Sequence, residues 1–300
     1  MIRIAHHPLY AHPLPEGHRF PMLKYELLPE QLVREGTCEK DQFFAPQKIE
    51  LKHIVTTHCA VYYQQLIDLT LPKREARKIG FPLSKILIER ECIIAQGTLE
   101  GCMYALNNGV SFNIAGGTHH AFYDRGEAFC LLNDQAIAAN YLLQNKRAKQ
   151  ILIIDLDVHQ GNGTAVLFKD NTKVFTFSMH GKSNYPFQKE QSDLDLALPD
   201  NTTDDAYLNL LHNHLGRLFD EVRPDFVFYL SGVDVLEEDK LGRLALSLEG
   251  AKERDRLVLS SCYERNIPVQ CSMGGGYAPD IKMIVEAHAN TYRTAEDIYG

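Results

Sequence analysis

The run Gln150-Ile151-Leu152-Ile153-Ile154-Asp155-Leu156-Asp157-Val158-His159 decides how the rest of the chain reads. Its first half is apolar without alternation, as in a strand covered on both faces, and such strands belong to parallel sheets. Its second half sets two carboxylates and an imidazole directly behind that strand. Similar β-rich runs occur at 110–115, 173–179, 225–232 and 267–273, with a short one at 2–6. Helical patterns lie between and after them, at 83–106, 131–145, 204–221, 246–265 and 279–298. Thr203-Asp204 and Ser247-Leu248-Glu249 have the composition of helix starts. Strands alternating with helices of this length imply crossover units. The expectation is one α/β domain over residues 1–300, with a mostly parallel central sheet flanked by helices on both faces. Residues 29–50 are mixed and give no clear element.

Composition agrees. The chain has 300 residues, 45% hydrophobic and 23% charged, in the range of globular proteins. Lys+Arg is 31 and Asp+Glu is 39, so the net charge of −8 argues against general nucleic-acid binding. No apolar run approaches the ~20 residues of a membrane span, and the first ten residues, broken by Pro8, do not form a signal region. Seven cysteines, none closer than nine positions apart, exclude CxxC pairs and argue against a disulfide framework. These features point to a cytoplasmic protein.

Ligands of open α/β sheets bind beyond the carboxyl ends of the strands. Four runs end there in polar chemistry: Gly116-Gly117-Thr118-His119-His120, Asp155-Leu156-Asp157-Val158-His159, Ser231-Gly232-Val233-Asp234 and Gly274-Gly275-Gly276-Tyr277. If the strand alternation continues, Asp155, Asp157 and His159 share one face while Leu156 and Val158 face away. Carboxylates and imidazole crowded in an apolar setting need a cation. These donors suit a divalent transition metal, zinc first, with Asp234 as a third ligand and an open position for chemistry. A single Asp at a strand end is ordinarily a turn or cap, but the spaced triplet is rarer. His119-His120 reads as a general acid/base pair or a surface pair. Tyr277 reads as an oxyanion donor or as part of a flexible loop.

In this order, these segments resemble the histone deacetylase family on the arginase/deacetylase fold, and within it the class IV enzymes and their bacterial relatives. The resemblance also rests on His18-Arg19-Phe20-Pro21-Met22, Asp124-Arg125-Gly126, Phe129-Cys130, Asn133-Asp134, Gln160-Gly161-Asn162-Gly163-Thr164, Ser178-Met179-His180, and Asp239 with Leu241-Gly242. It implies Asp157, His159 and Asp234 as ligands to zinc, with ferrous iron as the alternative. It implies His120 as general base and then acid, His119 as its partner, Asp155 and Asn162 as the groups orienting the two histidines, and Tyr277 on the amide oxygen. A structural potassium ion would be held by Asp155, Asp157, His159, Ser178 and Met179 through side chains or backbone. Gly117, Phe129, Tyr185, Phe187 and Leu241 would line the substrate tunnel, and Arg19 an internal cavity. The implied reaction is hydrolysis of an acyl-lysine amide by a metal-activated water, on a peptide or protein. The alternative substrate is a small acylated amine such as an acetylpolyamine.

Three departures narrow this. Asn162 stands where many members carry a carboxylate. The rim segment 73–84 has Glu75 as its only carboxylate. Leu241 stands where the polyamine-specific branch places a glutamate. A binuclear, arginase-like site would need an acid at Leu236. A catalytically dead binding module should have lost a ligand or Tyr277, and every such position is filled. His6, His7, His12 and His18 read as loop residues, His58 as structural, and His212 and His214 as helix-surface or packing residues.

Overall fold

The structure, a computed structural model, describes residues 2–300. Its strands are β1 (Arg3–Ala5), β2 (Phe43–Phe44), β3 (Val110–Asn113), β4 (Ile151–Asp155), β5 (Val174–Gly181), β6 (Leu194–Leu198), β7 (Phe226–Leu230) and β8 (Val269–Ser272). Its helices are α1 (Lys24–Arg34), α2 (Leu51–Ile54), α3 (Ala60–Ile67), α4 (Lys73–Ile79), α5 (Lys85–Asn108), α6 (Asp134–Gln144), α7 (Asn162–Phe168), α8 (Asp204–Val222), α9 (Leu248–Glu264) and α10 (Ile281–Tyr299). The strands form one parallel eight-stranded sheet in the order β2-β1-β3-β8-β7-β4-β5-β6. Helices cover both faces. One group is built on α5 with α6 and α3, and the other runs α1, α10, α9, α8. Among the described residues, no helix is long and apolar enough to cross a membrane.

The apolar runs became the central strands because they are covered from both sides: every residue of β3, β4, β7 and β8 is buried. These four strands are consecutive in the sheet, so the four polar segments behind them share one edge. The chain leaves β4 toward β5 on one side and leaves β7 toward β8 on the other. A crevice therefore opens between β4 and β7, the place where such sheets bind ligands.

Two expectations are corrected. β4 ends at Asp155, so Asp157 and His159 stand on the loop behind it and do not share a strand face by alternation. The edge strands β2 and β6 are additional, one of two residues and the other only half-buried.

Candidate metal centre and its surroundings

The loop behind β4 is folded by its own carboxylates. Asp155 Oδ1 accepts from the Asp157 N–H at 3.2 Å, and Asp157 Oδ1 accepts from the His159 N–H at 2.9 Å. These local bonds, rather than a strand pleat, turn Asp157 and His159 toward β7. Asp234 arrives from β7, with Oδ1 accepting from the Val158 N–H at 3.0 Å and Oδ2 3.1 Å from His159 Nδ1. Asp157 Oδ1 lies 3.0 Å from the same nitrogen. Ligand atoms of Asp157, His159 and Asp234 all lie within 4.8 Å of one another, and this is the only such cluster among the described residues. The two carboxylates are 2% and 0% exposed.

The electrostatics of the three are tightly linked. Burial disfavours a charged His159, but its hydrogen bonds to Asp157 and Asp234 and their charges overcome this and raise its pKa to about 10. Burial and the Asp157 charge push Asp234 up to about 7. Burial also opposes ionisation of Asp157, yet His119 and His159 hold it well below the usual carboxylate range. The centre thus favours positive charge between its donors. A divalent cation supplies it without protonating any ligand, so the residues fit a metal.

Gly275 completes the close approach. Its N–H donates to Asp157 Oδ2 at 2.8 Å, and a Cβ there would collide with the carboxylates of Asp234 and Asp157.

Beneath the centre, Arg254 of α9 is fully buried. Its Nη1 donates to the carbonyls of Leu156 at 3.2 Å and Gly232 at 2.6 Å, and its Nη2 to Ser231 at 3.3 Å. Asp255 Oδ1 neutralises it, accepting from Nε at 2.9 Å and Nη2 at 2.8 Å. One guanidinium therefore binds the segments that carry Asp157 and Asp234. Arg254→Met removes that fork and strands Asp255, so we expect a loss of about 3–5 kcal/mol of stability in urea unfolding. An unchanged midpoint would refute this bracing role.

The loop behind β3 is held by Asp134, whose Oδ1 accepts from the Thr118 N–H at 2.9 Å and its hydroxyl at 2.7 Å. It presents both histidines. His119 Nδ1 is 2.7 Å from Asp155 Oδ2, and His120 Nδ1 is 2.6 Å from Asn162 Oδ1. Burial opposes a charged His119, but the Asp155 carboxylate raises its pKa. Burial, reinforced by the charges of His119 and His159, holds His120 well below the usual imidazole range. Burial and the charges of Asp234 and Asp157 keep the Tyr277 phenol far above its ordinary pKa, so it stays a donor.

A base must be neutral, so activity that depends on His120 falls as pH drops through its pKa. Asn162→Asp puts a carboxylate against the ring and stabilises the imidazolium. We therefore expect the acidic limb of the pH–rate profile to move to higher pH. Superimposable profiles for variant and parent would rule the idea out.

A mouth cavity of about 670 Å³ leads down to the centre, and an inner one of about 50 Å³ lies beyond it. His120, Phe129, His159 and Tyr277 line both, and so form the constriction between them. Ala128 and Phe129 have left-handed backbones, at φ 44 and 69. Hydrogen bonds to the carbonyls of Lys78 and Ile79, at 2.9 and 2.6 Å, hold them there. Gly80 follows at φ +82, where a Cβ would stand 3.0 Å from the Phe129 ring. The end of α4 therefore sets the position of the Phe129 wall. Asp239 ties the opposite rim to Tyr277: Oδ1 accepts from the N–H groups of Leu241 and Gly242, and Oδ2 from that of Tyr277 at 2.6 Å.

The structure brings together Asp157, His159, Asp234, His119, His120, Asp155, Asn162 and Tyr277. Phe129, Tyr185 and Leu241 line the mouth, with the Tyr185 ring 5.1 Å from that of His120, and Gly117 lines the inner cavity. Ser178 faces Asp155 across the β4–β5 ladder, with Met179 beside it on β5. Phe187 is 86% exposed and stands at the outer rim rather than in a tunnel wall. Arg19 is corrected most clearly. It is exposed at the mouth, with its guanidinium 5.0 Å from the Phe129 ring centre, because the chain turns inward only afterwards, at Phe20. Besides Arg254, the interior holds Arg90, which lines the inner cavity, and Lys24, fully buried with Nζ 3.2 Å from the Gly274 carbonyl. Burial lowers Lys24 to about 8 against the opposing charges of Asp234, Asp157 and Asp239. His58 is structural: its ring nitrogens meet the Phe122 carbonyl at 2.8 Å and the Asn133 N–H at 2.9 Å.

The family model for the histone deacetylase domain matches residues 18–292. An uncharacterized protein of Picosynechococcus is 45% identical over 99% of both chains. Histone deacetylase 2 of Arabidopsis thaliana is 28% identical, across 87% of this chain and 70% of its own. The acetoin utilization protein AcuC of Bacillus subtilis is 27% identical, across 85% and 70%. Among solved structures, an HDAC homologue from Aquifex aeolicus matches with a TM-score of 0.83 at 22% identity, over 98% of this chain and 84% of its own. A crystal structure of an HDAC homologue complexed with SAHA matches at 0.85 and 23%, over 99% and 84%. Both structures share the fold.

Proposed function

This chain belongs to the histone deacetylase family, a deacetylase hydrolase acting on acetyl amides, and from that premise we propose that it removes acetyl or longer acyl groups from lysine side chains. The observation that carries this reading is the buried Asp157–His159–Asp234 cluster, with His120 and Tyr277 at the same constriction.

Asp157, His159 and Asp234 would hold a zinc ion, or ferrous iron, which would supply Lewis acidity and lower the pKa of a bound water. His120, neutral and tethered through Nδ1 to Asn162, has Nε2 free to take a proton from that water. As the water oxygen bonds to the amide carbon His120 takes its proton, and as the C–N bond breaks His120 returns that proton to the lysine nitrogen. The Tyr277 phenol donates to the amide oxygen as negative charge builds there. His119, held through Nδ1 by Asp155 at 2.7 Å, stands beside His120 and fixes its approach to the same constriction. The Phe129 and Tyr185 rings hold the acyl-lysine stem and exclude water. The products are a carboxylate and a free amine.

The class IV-like assignment rests on the sequence segments alone. A potassium ion at Asp155, Asp157, His159, Ser178 and Met179 belongs to the same proposal, supported by the facing of Asp155 and Ser178. So does a single catalytic domain over residues 1–300, since strands from both ends of the chain share one sheet. Seven free cysteines favour the cytoplasm.

The test is metal analysis of the purified protein, coupled to turnover of short- and long-acyl lysine peptides and acetylpolyamines. Stoichiometric metal with acyl-lysine turnover supports the reading. Turnover of acetylpolyamines alone moves the substrate to small amines, and absence of bound metal removes the mechanism.

A further inference from the structure

The mouth cavity is lined by four cationic side chains, Arg19, Lys78, Lys240 and Arg243, and by one carboxylate, Glu127. This is the reverse of the whole chain, which carries −8. Glu127 is already engaged. Oε2 accepts from the Tyr185 hydroxyl at 2.6 Å, and Oε1 meets Arg125 Nε at 3.1 Å and Lys78 Nζ at 3.8 Å. Arg243 answers Asp200 at 3.3 Å. Arg19 and Lys240 have no acidic partner among the described residues, and both are exposed. The cations stand on separate segments around the opening. Lys78 lies in the last turn of α4, Arg19 precedes α1 and overlies the Phe129 wall, and Lys240 and Arg243 lie on the rim loop fixed by Asp239. A charged opening with low-dielectric walls concentrates ligands of the opposite sign.

We propose that this mouth selects acylated amines carrying an anionic group at the end of the stem that remains outside the constriction, with Arg19 and Lys240 as the specificity-determining residues. The inference rests on the deacylase reading of the same site and adds the sign of its substrate. The anion can come from Asp, Glu or phosphoserine next to an acyl-lysine in a protein, or from the carboxylate of a free acylated amino acid. Polycationic amines and lysine-rich tails are disfavoured.

The test compares kcat/KM for three acetyl-lysine peptides of equal length, flanked by Asp/Glu, by Gly/Ser or by Lys/Arg, with free Nε-acetyl-lysine and N-acetylputrescine as small probes. At low ionic strength the acidic peptide should exceed the basic one by roughly tenfold, mainly through KM, and the gap should close in high salt. Arg19→Glu combined with Lys240→Glu should invert the order. Preference for free acetyl-lysine over every peptide would assign the anion to a small substrate. Equal rates for acidic and basic peptides, or an order unmoved by the charge reversals, would overturn the proposal. Binding of the same peptides to His120→Ala protein keeps the two readings separable. Acidic preference in binding without wild-type turnover of any acyl amide would sink the deacylase reading and leave the mouth's selectivity standing. Turnover without charge preference would do the opposite.

Discussion

Asp234→Ala protein should purify without its metal and without measurable turnover. In the proposed centre Asp234 is one of three donors, and even groups that only support ligands are worth 10–100-fold in metal affinity, so direct loss should exceed about 100-fold. The substitution has a second effect, because Asp234 Oδ1 also accepts from the Val158 N–H. Stranding that buried donor costs about 1–3 kcal/mol, and lower stability alone could mimic a functional defect. Asp234→Asn separates the two. An amide oxygen still accepts from Val158, but the negative charge that draws the cation is gone. Metal content and urea unfolding of both variants decide the matter. If the Asp234→Asn protein folds normally and keeps stoichiometric metal, Asp234 is no ligand.

His120→Ala should leave the metal in place and lower kcat by about 10²–10⁴-fold, the range for a missing general base, with little change in KM. The geometry motivates this separation: His120 bonds Asn162, outside the donor cluster, while its ring lines the constriction. Loss of metal in this variant would move His120 into the ligand set. Near-normal turnover with metal bound would transfer the base role elsewhere, His119 being the adjacent candidate.

Much of this was legible because physical chemistry leaves few options for the residues concerned. Unalternating Ile151–Ile154 has to be covered on both faces, and the charged residues behind it have to find one another or water. The strands at 110–115, 225–232 and 267–273 read the same way and are β3, β7 and β8. Residues 43–44 are too few to show any period, whereas Leu194–Leu198 places Leu at every second position around Asp195 and Ala197, a period-2 signal of a half-covered edge strand. The triplet behind β4 does lead to a buried Asp157–His159–Asp234 cluster, but the loop's own hydrogen bonds, not the pleat, converge Asp157 and His159. Arg254-Asp255 sits in Lys252-Glu253-Arg254-Asp255-Arg256, which looks like a solvated helix face. A signal was nonetheless present. Ala251, Val258, Leu259 and Cys262 form a buried stripe, and Arg254 and Asp255 occupy its continuation. Lys24 likewise falls on the stripe of Tyr25, Leu28 and Leu32. Charges on an apolar stripe are the mark of buried ion chemistry, and Lys24 carries that mark where exposed Arg19 does not.

The placement of the donors on either side of the crevice between β4 and β7 also governs when in the life of the polypeptide the metal can be captured. A nascent chain that has emerged only as far as His159 offers an acid and an imidazole on an unsupported loop. The third donor comes seventy-five positions later, and Arg254, which braces both segments from behind, later still. On the proposed ligand set, loading is therefore a closing event of biogenesis, and a product stalled before Asp234 lacks one of the three donors.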